Sequence, residues 1–335
     1  MKEAATVTFD VPEQEQRAAV EAATLAPSLH NSQPWSFAID PQGLDVYADR
    51  SRNPDVVDRT GRELHIGCGA ATMFARLALR SLGWDVSTQL LPDSGDTDHL
   101  ARLTVTGRRE ATDEERLLVD ALPIRYTDRG RYAEQPIPTE VIDELRAATE
   151  AEGAWLRPLD RPADLPLVAT VLAHADELER GNPAYVEELE KWSRFDETAP
   201  DGVPRSAVDP TPVTERGSSY RLRDFDVDSS VTAGFEHSDG PPVAEHPLVV
   251  VVGTGQDDPR SWLEAGMAVG HLLLQATARG ISAAPMTQVL EVPTARLQLG
   301  HGIGAIGHPQ MLLRLGYGGT GHPTTHRRPV DEVLR

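Results

Sequence analysis

The stretch Leu-Ala-Pro-Ser-Leu-His-Asn-Ser-Gln-Pro-Trp-Ser-Phe spans residues 25–37 and separates a segment of helical character from one of strand character. Pro27 lacks a backbone N–H and disfavours helical geometry in the residue before it, so it ends the helix. Short polar side chains follow in a turn, and Pro34 opens an extended segment in which Trp35 and Phe37 share one face. The pattern fits either a capped turn with a core tryptophan or a loop that contacts a cofactor with an apolar ring system and polar edges.

Length and composition restrict the class of protein. At roughly 150 residues per domain, a chain of 335 residues predicts two domains or two fused half-domains. Its formal net charge of -20 argues against a nucleic-acid or anionic-membrane partner, because both require basic surface. The N-terminal stretch has no continuous apolar region, and no run of about 18 apolar residues occurs, so we expect a cytoplasmic protein without a membrane span.

Two segments of the chain share one pattern. A capping-box sequence at Thr60–Glu63 predicts a helix up to about Leu82, and another at Ser261–Glu264 predicts a helix that ends at Gly280. Both helices carry small residues near their starts, so each can approach a neighbour closely. We therefore predict a duplication, with one half over residues 1–122 and the other over 123–335.

Further strands and helices complete each predicted half. The first half contains a helix over 12–25, a hairpin of two strands, and two later strands; the strands are Trp35–Ile39, Leu44–Ala48, Trp84–Leu91 and Leu100–Thr106. The second half contains two helices and three strands: Val141–Glu150, Leu165–Glu179, Pro247–Val252, Ala284–Gln288 and Met311–Leu315. A polar insert at about 193–245, rich in proline, glycine, serine and aspartate, is expected to be either a lid or disordered.

The lone cysteine and the histidines do not indicate a metal site. Cys68 lies among glycines and alanines in a helical stretch, which favours a small buried thiol over a nucleophile. The C-terminal histidines lack the helical spacing and acidic partners that would organise ligands. We predict neither a bound metal nor a catalytic acid, base or nucleophile among the side chains.

The opening stretch resembles the flavin-contacting loop of the nitroreductase family, whose pattern A-P-S-x-x-N-x-Q-P-W-x-F is matched at every named position. The resemblance implies an α+β fold and non-covalent FMN. In this family the FMN phosphate is met by an R-x-[ST]-x-R pattern and a C-terminal arginine of one subunit, and the P-S-x-x-N loop comes from its partner. The candidate cofactor-binding residues are therefore Pro27, Ser28, Asn31, Arg125, Tyr126, Thr127, Asp128, Arg129, Pro285, Met286, Thr287, Gln288, Arg327 and Arg328.

The two flavin-binding patterns are divided between the predicted halves. The first half carries the loop without the arginine pattern, and the second carries the arginine pattern without the loop. A symmetric homodimer needs both in every copy, so we expect a monomer that acts as an intramolecular pseudo-dimer with a single FMN. This layout resembles the Acg-like branch of the nitroreductase family.

The resemblance implies an FMN-binding oxidoreductase in which NAD(P)H reduces the flavin and a nitroaromatic, a quinone or a similar small molecule accepts the electrons. The alternative is a flavin-storage or sequestering protein whose insert covers a catalytically silent FMN. Thr287 and Gln288 stand where many relatives carry Glu-Gly, so the family pattern does not define the nicotinamide side of the pocket.

Overall fold

The computed structural model describes residues 9–130, 132–204, 247–318 and 325–335, and it contains two four-stranded antiparallel sheets with two long central helices. The first sheet has the strand order β1-β2-β4-β3. Its half contains α1 (Glu13–Thr24), β1 (Trp35–Asp40), β2 (Gly43–Ala48), α2 (Arg62–Ser81), β3 (Trp84–Leu90), β4 (His99–Arg108) and α3 (Asp113–Ala121), with short 3-10 turns at Leu29–Asn31 and Arg50–Arg52. The predicted hairpin and the two later strands are confirmed.

The second sheet has the strand order β5-β8-β10-β9. Its half contains α4 (Thr139–Glu150), β5 (Trp155–Pro158), α5 (Asp164–Arg180), α6 (Pro183–Trp192), β6 (Ser193–Arg194), β7 (Val203–Pro204), β8 (Leu248–Thr254), α7 (Pro259–Ala278), β9 (Ser282–Pro285), α8 (Gln288–Glu291), α9 (Pro293–Ile303), β10 (His308–Gly316) and α10 (Val330–Val333). Within the predicted insert, β6 and β7 pair in parallel. Residues 205–246, and with them most of the predicted lid, lie outside the described residues.

The two sheets are built in the same way. In the first, β2 leads through α2 to β3, and β4 then pairs with both strands. In the second, β8 leads through α7 to β9, and β10 pairs with both. The repeated topology agrees with the predicted duplication, whereas the boundary at 122/123 stays a prediction.

Helices α2 and α7 touch backbone to backbone at two glycines. A Cβ atom on Gly69 would lie 2.2 Å from the Leu263 carbonyl oxygen, and one on Gly266 would lie 2.0 Å from the Ile66 oxygen. Side chains also cross this contact, because Leu263 belongs to the core of the first half and Ile66 to that of the second. The predicted close approach of the small-residue helices thus joins the two halves.

The C-terminal segment of the second half packs on the first. Val333 is fully buried in the core of the first half, and Leu334 forms a parallel bridge with Phe37 of β1. The Arg335 N–H donates to the Phe37 oxygen at 2.8 Å. Residues 325–335 therefore belong to the second half in sequence but pack on the first half. The predicted division of the chain after residue 122 does not describe this exchange.

Both predicted capping boxes are wrong in the residue that caps the helix. Gly61 has a left-handed φ of 74° before α2, and Asp58, not Thr60, accepts the Leu64 N–H at 2.9 Å. At α7 the cap is Asp258, which accepts the Ser261 N–H at 2.8 Å. The helix starts earlier there because a proline at its first position is already set for helical geometry.

Cys68 is buried in α2, where its thiol donates to the Pro34 oxygen at 3.3 Å. Burial raises the pKa of this thiol well above its usual range, as expected for an unreactive core cysteine. In the described parts of the chain, no helix is long and apolar enough to cross a membrane.

A buried carboxylate links the helices of the two halves and predicts an acid-sensitive contribution to stability. Glu152 contacts Arg76 of α2 and His271 of α7. Burial raises the pKa of Glu152, but the hydrogen bond from His271 and the charge of Arg76 outweigh it and lower the pKa to about 2. Because this lies below the unfolded value of 4.5, the contribution is present above that pH and is lost as the pH falls towards 2.

We expect Glu152→Gln to remove this acid-sensitive contribution. Urea unfolding of wild type and variant from about pH 7 to about pH 3 should show the difference in their free energies of unfolding shrinking by about 2 kcal/mol. A difference that stays constant over this range would contradict the assignment to Glu152.

Candidate functional site

A cavity beside the contact of α2 and α7 is lined by both halves. Its first part, here called the apolar chamber, is lined from the first half by residues 27–30 and by Glu63, Ile66, Gly67 and Ala70 of α2. The second half contributes Thr127, Arg129, Val269, Leu273, Pro285, Thr287, Gln288 and Met311. Apolar groups from both helices thus face a space that also has polar side chains at its edge.

The second part, here called the basic chamber, adjoins the first. It is lined by Asn31, Arg125, Tyr126, Val203, Thr325 and Arg327. It also shares lining residues with the apolar chamber, namely Pro27, Ser28, His30, Thr127 and Arg129. The cavity therefore changes from apolar to basic along its length.

The loop between α1 and β1 has a constrained backbone. His30, Asn31 and Gln33 have left-handed φ angles of 52°, 54° and 51°, a backbone conformation that residues other than glycine rarely adopt. The Ser28 hydroxyl accepts the Gln33 N–H at 2.9 Å and closes the turn. Such strain persists where the surrounding structure holds it, and it is concentrated at functional sites. In this loop, Pro27, Ser28 and His30 line both chambers.

Two arginines define the basic chamber: Arg125 is buried, and Arg327 is half-buried with its Nε atom enclosed. In the described part of the chain, Arg125 and Arg327 have no carboxylate partner, and the Nε atom of each has no hydrogen-bond acceptor. Among the described residues, the Arg125 guanidinium reaches only the Leu25 oxygen at 3.5 Å, while Arg327 Nη1 donates to the oxygen and hydroxyl of Thr325 at 2.8 and 2.6 Å. Their remaining N–H groups are available to an anion.

The pKa values of these arginines reflect the cost of burying them. Burial lowers the pKa of Arg125 to about 10. Burial, followed by the charge of Arg125, lowers the pKa of Arg327 to about 9. Both remain cations at neutral pH, so a phosphate bound between them would relieve desolvation and repulsion together. The donors present fit a phosphate group.

The predicted segment 125–129 is anchored to β9. Thr127 forms a parallel bridge with Ala283, and the Asp128 N–H donates to the Ala283 oxygen at 2.9 Å. Asp128 is buried and accepts the Gly130 N–H at 2.9 Å, so its carboxylate holds the turn. Of the five residues, the four that line the cavity are Arg125, Tyr126, Thr127 and Arg129.

The predicted strand Ala284–Gln288 is wrong at its end. Strand β9 stops at Pro285, and Gln288 begins the short helix α8. Met286 is fully buried and packs in the core of the second half, whereas Pro285, Thr287 and Gln288 line the apolar chamber. Within the described residues the N–H groups of Thr287 and Gln288 have no acceptor, as expected where a helix begins.

The structure separates the two predicted C-terminal arginines. Arg327 lines the basic chamber, but the Arg328 side chain turns to α10, where Nη2 donates to the Glu332 oxygen at 2.7 Å. Arg328 contributes instead through its backbone N–H, which donates to Gln33 Oε1 at 2.9 Å. Sequence could not distinguish these neighbours, because the difference depends on the path of the tail over the first half.

Among the residues that line the cavity, sequence analysis missed two with ionisable side chains. His30 is buried and lines both chambers, and Glu63 is buried in the wall of the apolar chamber, where it pairs with Arg62. Arg62 is fixed in turn by the Gln310 oxygen at 2.7 Å. The sequence places Glu63 in a capping box. In the structure Gly61 precedes α2 in a left-handed turn, no capping box forms, and Glu63 lies in the chamber wall beside Arg62.

Comparison with known proteins shows the family of this chain. The sequence model of the Nitroreductase family matches residues 124–317, more than half of the chain. The Mycobacterium tuberculosis (strain ATCC 25618 / H37Rv) protein named "Putative NAD(P)H nitroreductase Rv3131" is 32% identical over 330 residues, covering 95% of this chain and 90% of that protein. The chain therefore belongs to the nitroreductase family.

Other similar proteins carry related names. "Putative NAD(P)H nitroreductase acg" of the same organism and strain is 31% identical over 323 residues, covering 95% of this chain and 94% of its own. A crystal structure of a nitroreductase with bound FMN from Bacteroides fragilis NCTC 9343 covers 63% of this chain and 93% of its own, with 13% identity and a TM-score of 0.37. The similarity to the mycobacterial acg protein confirms the resemblance to the nitroreductase family. The two antiparallel sheets and their helices confirm the predicted α+β fold.

Proposed function

We propose that this protein is an FMN-dependent oxidoreductase that binds one FMN between its halves, with the isoalloxazine ring in the apolar chamber and the phosphate in the basic chamber. The observation that carries the proposal is the pair of arginines beside an apolar space, Arg125, which is buried, and Arg327, which is half-buried with its Nε atom enclosed. Buried like charges are costly unless an anion compensates them. FMN joins a phosphate dianion to an apolar ring system, and so matches the order of the two chambers.

FMN, when bound, would supply the redox chemistry for electron transfer from NAD(P)H to a nitroaromatic, a quinone or a similar small acceptor. The names of the mycobacterial relatives support this activity and this reductant. The residues of the chain would bind and orient the cofactor. Arg125 and Arg327 would neutralise the phosphate, and the N–H groups of Thr287 and Gln288 would donate to the polar edge of the ring.

We further propose that the protein acts as a monomer in which the two halves form a pseudo-dimer, and that it acts in the cytoplasm. Three observations support an intramolecular site. Both halves line both chambers. The two sheets have one topology. The backbones of α2 and α7 are in contact at Gly69 and Gly266.

An absorption spectrum of the purified protein, before and after anaerobic NADPH, tests the activity. A flavin spectrum at about one FMN per chain that bleaches with NADPH supports the oxidoreductase. A spectrum that bleaches with dithionite but not with NADPH or NADH would favour the flavin-storage alternative. Failure to bind FMN even when it is added in excess would contradict both.

A further inference from the structure

Gln33 is fully buried behind the wall of the cavity and lines neither chamber. Its carboxamide joins three segments of the chain. Oε1 accepts the Arg328 N–H at 2.9 Å, and Nε2 donates to the Pro200 oxygen at 2.7 Å and to the Asn31 oxygen at 3.3 Å. One amide therefore connects the loop between α1 and β1 to the start of the insert and to the C-terminal tail.

The bonds to the tail lie on either side of Arg327. On one side, Gln33 Oε1 accepts the N–H of Arg328, the residue after Arg327. On the other side, Asn31 Nδ2 donates to the oxygen of His326, the residue before Arg327, at 3.1 Å. Asn31 Nδ2 also donates to the Gly202 oxygen at 3.0 Å. The backbone of Arg327 is thus fixed from both sides by the loop of the other half.

Such fixation is needed because Arg327 and Arg125 are cations that repel each other when no anion is bound. The end of the tail has its own anchors, through buried Val333 and the bond from Arg335 to Phe37. Those contacts hold α10 on the first half. The position of residues 326–328 is set instead by their hydrogen bonds to Asn31 and Gln33.

We propose that Gln33 is a positioning residue, which holds Arg327 beside Arg125 so that the two arginines meet a phosphate, without itself touching the ligand. The inference rests on the proposed function, since it assigns the phosphate to the basic chamber. It predicts that Gln33 affects the preference for FMN over riboflavin, which has the same ring system and no phosphate. A residue with a merely structural role would affect both ligands alike.

The test measures dissociation constants of FMN and riboflavin for wild type, Gln33→Met, Arg327→Ala and the double variant. We expect Gln33→Met to weaken FMN about tenfold or more and riboflavin by less than about twofold. Because Gln33 acts through Arg327, adding Gln33→Met to Arg327→Ala should change FMN affinity by less than about twofold. If the methionine variant does not fold, Gln33→Ser, which leaves space for water at the vacated groups, replaces it.

Gln16→Met is the matched control. Gln16 is equally a buried glutamine of the first half whose amide bonds backbone oxygens, those of Asp40 and Gly43, but it lies outside the cavity. It should leave the ratio of the two dissociation constants unchanged. Equal loss of FMN and riboflavin in Gln33→Met, or additive effects of Gln33 and Arg327, would overturn the inference while wild-type FMN binding stands. Wild-type protein that binds neither flavin would overturn the proposed function itself.

Discussion

The Gly266→Ala variant is expected to lose roughly 3 kcal/mol or more of its free energy of unfolding, at the upper end of the usual cost of overpacking. The new Cβ would lie 2.0 Å from the Ile66 carbonyl oxygen of α2, and backbone on both sides of the contact cannot turn away as a flexible side chain can. The helices must therefore separate. Because both helices line the apolar chamber, bound FMN should be lost as well. Urea unfolding and flavin content of the purified variant measure the two effects.

Gly255→Ala is the matched control. Gly255 is exposed in the turn after β8, and a Cβ there meets no atom of the described residues within 4 Å. We expect its stability to stay within about 1 kcal/mol of wild type, with full flavin content. If Gly266→Ala were as stable as this control, the direct contact of α2 and α7 would be wrong.

The Arg125→Met variant is expected to have opposite effects on binding and on stability. Removing one of two phosphate partners should weaken FMN about 100-fold, since hydrogen bonds between charged groups contribute about 1.5–3 kcal/mol. Without FMN, the variant should be as stable as wild type or more stable, by up to about 2 kcal/mol, because an unpaired buried cation has been replaced by an apolar side chain. Isothermal titration with FMN and unfolding of the flavin-free protein measure the two quantities.

Arg328→Ala provides a control of the same residue type in the same segment. Its guanidinium turns to Glu332 on α10, and the backbone N–H that Gln33 accepts survives the substitution. FMN affinity should change by less than about threefold, as for other partly exposed charges that touch no ligand. Arg125→Met with unchanged FMN affinity, or Arg328→Ala with the larger loss, would contradict the assignment of the phosphate to the basic chamber.

Local sequence predicted much of the fold because local rules decide it. Pro27 follows the end of α1, and the hairpin strands alternate buried and half-buried positions over Trp35–Ala38 of β1 and Leu44–Ala48 of β2, as their sequence does. The small residues of α2 and α7 predicted a close approach, and Gly69 and Gly266 make that contact. Each of these features depends on a few neighbouring residues.

Tertiary contacts decide what the sequence could not predict. Asn31 was expected at the flavin, and it does line the basic chamber, but its amide group also binds the backbone of Gly202 and His326. Arg327 and Arg328 are alike in sequence, and the tail bound by Gln33 turns only the first into the cavity. These assignments depend on residues more than 100 positions apart in the chain.

Native mass spectrometry of the FMN-loaded protein tests the central claim most directly, because it reports stoichiometry and assembly in one spectrum. A fused pseudo-dimer with one site predicts a single chain of 36.4 kDa carrying one FMN. Two FMN per chain, or FMN found only on a dimer of chains, would contradict a single site built by the two halves of one molecule.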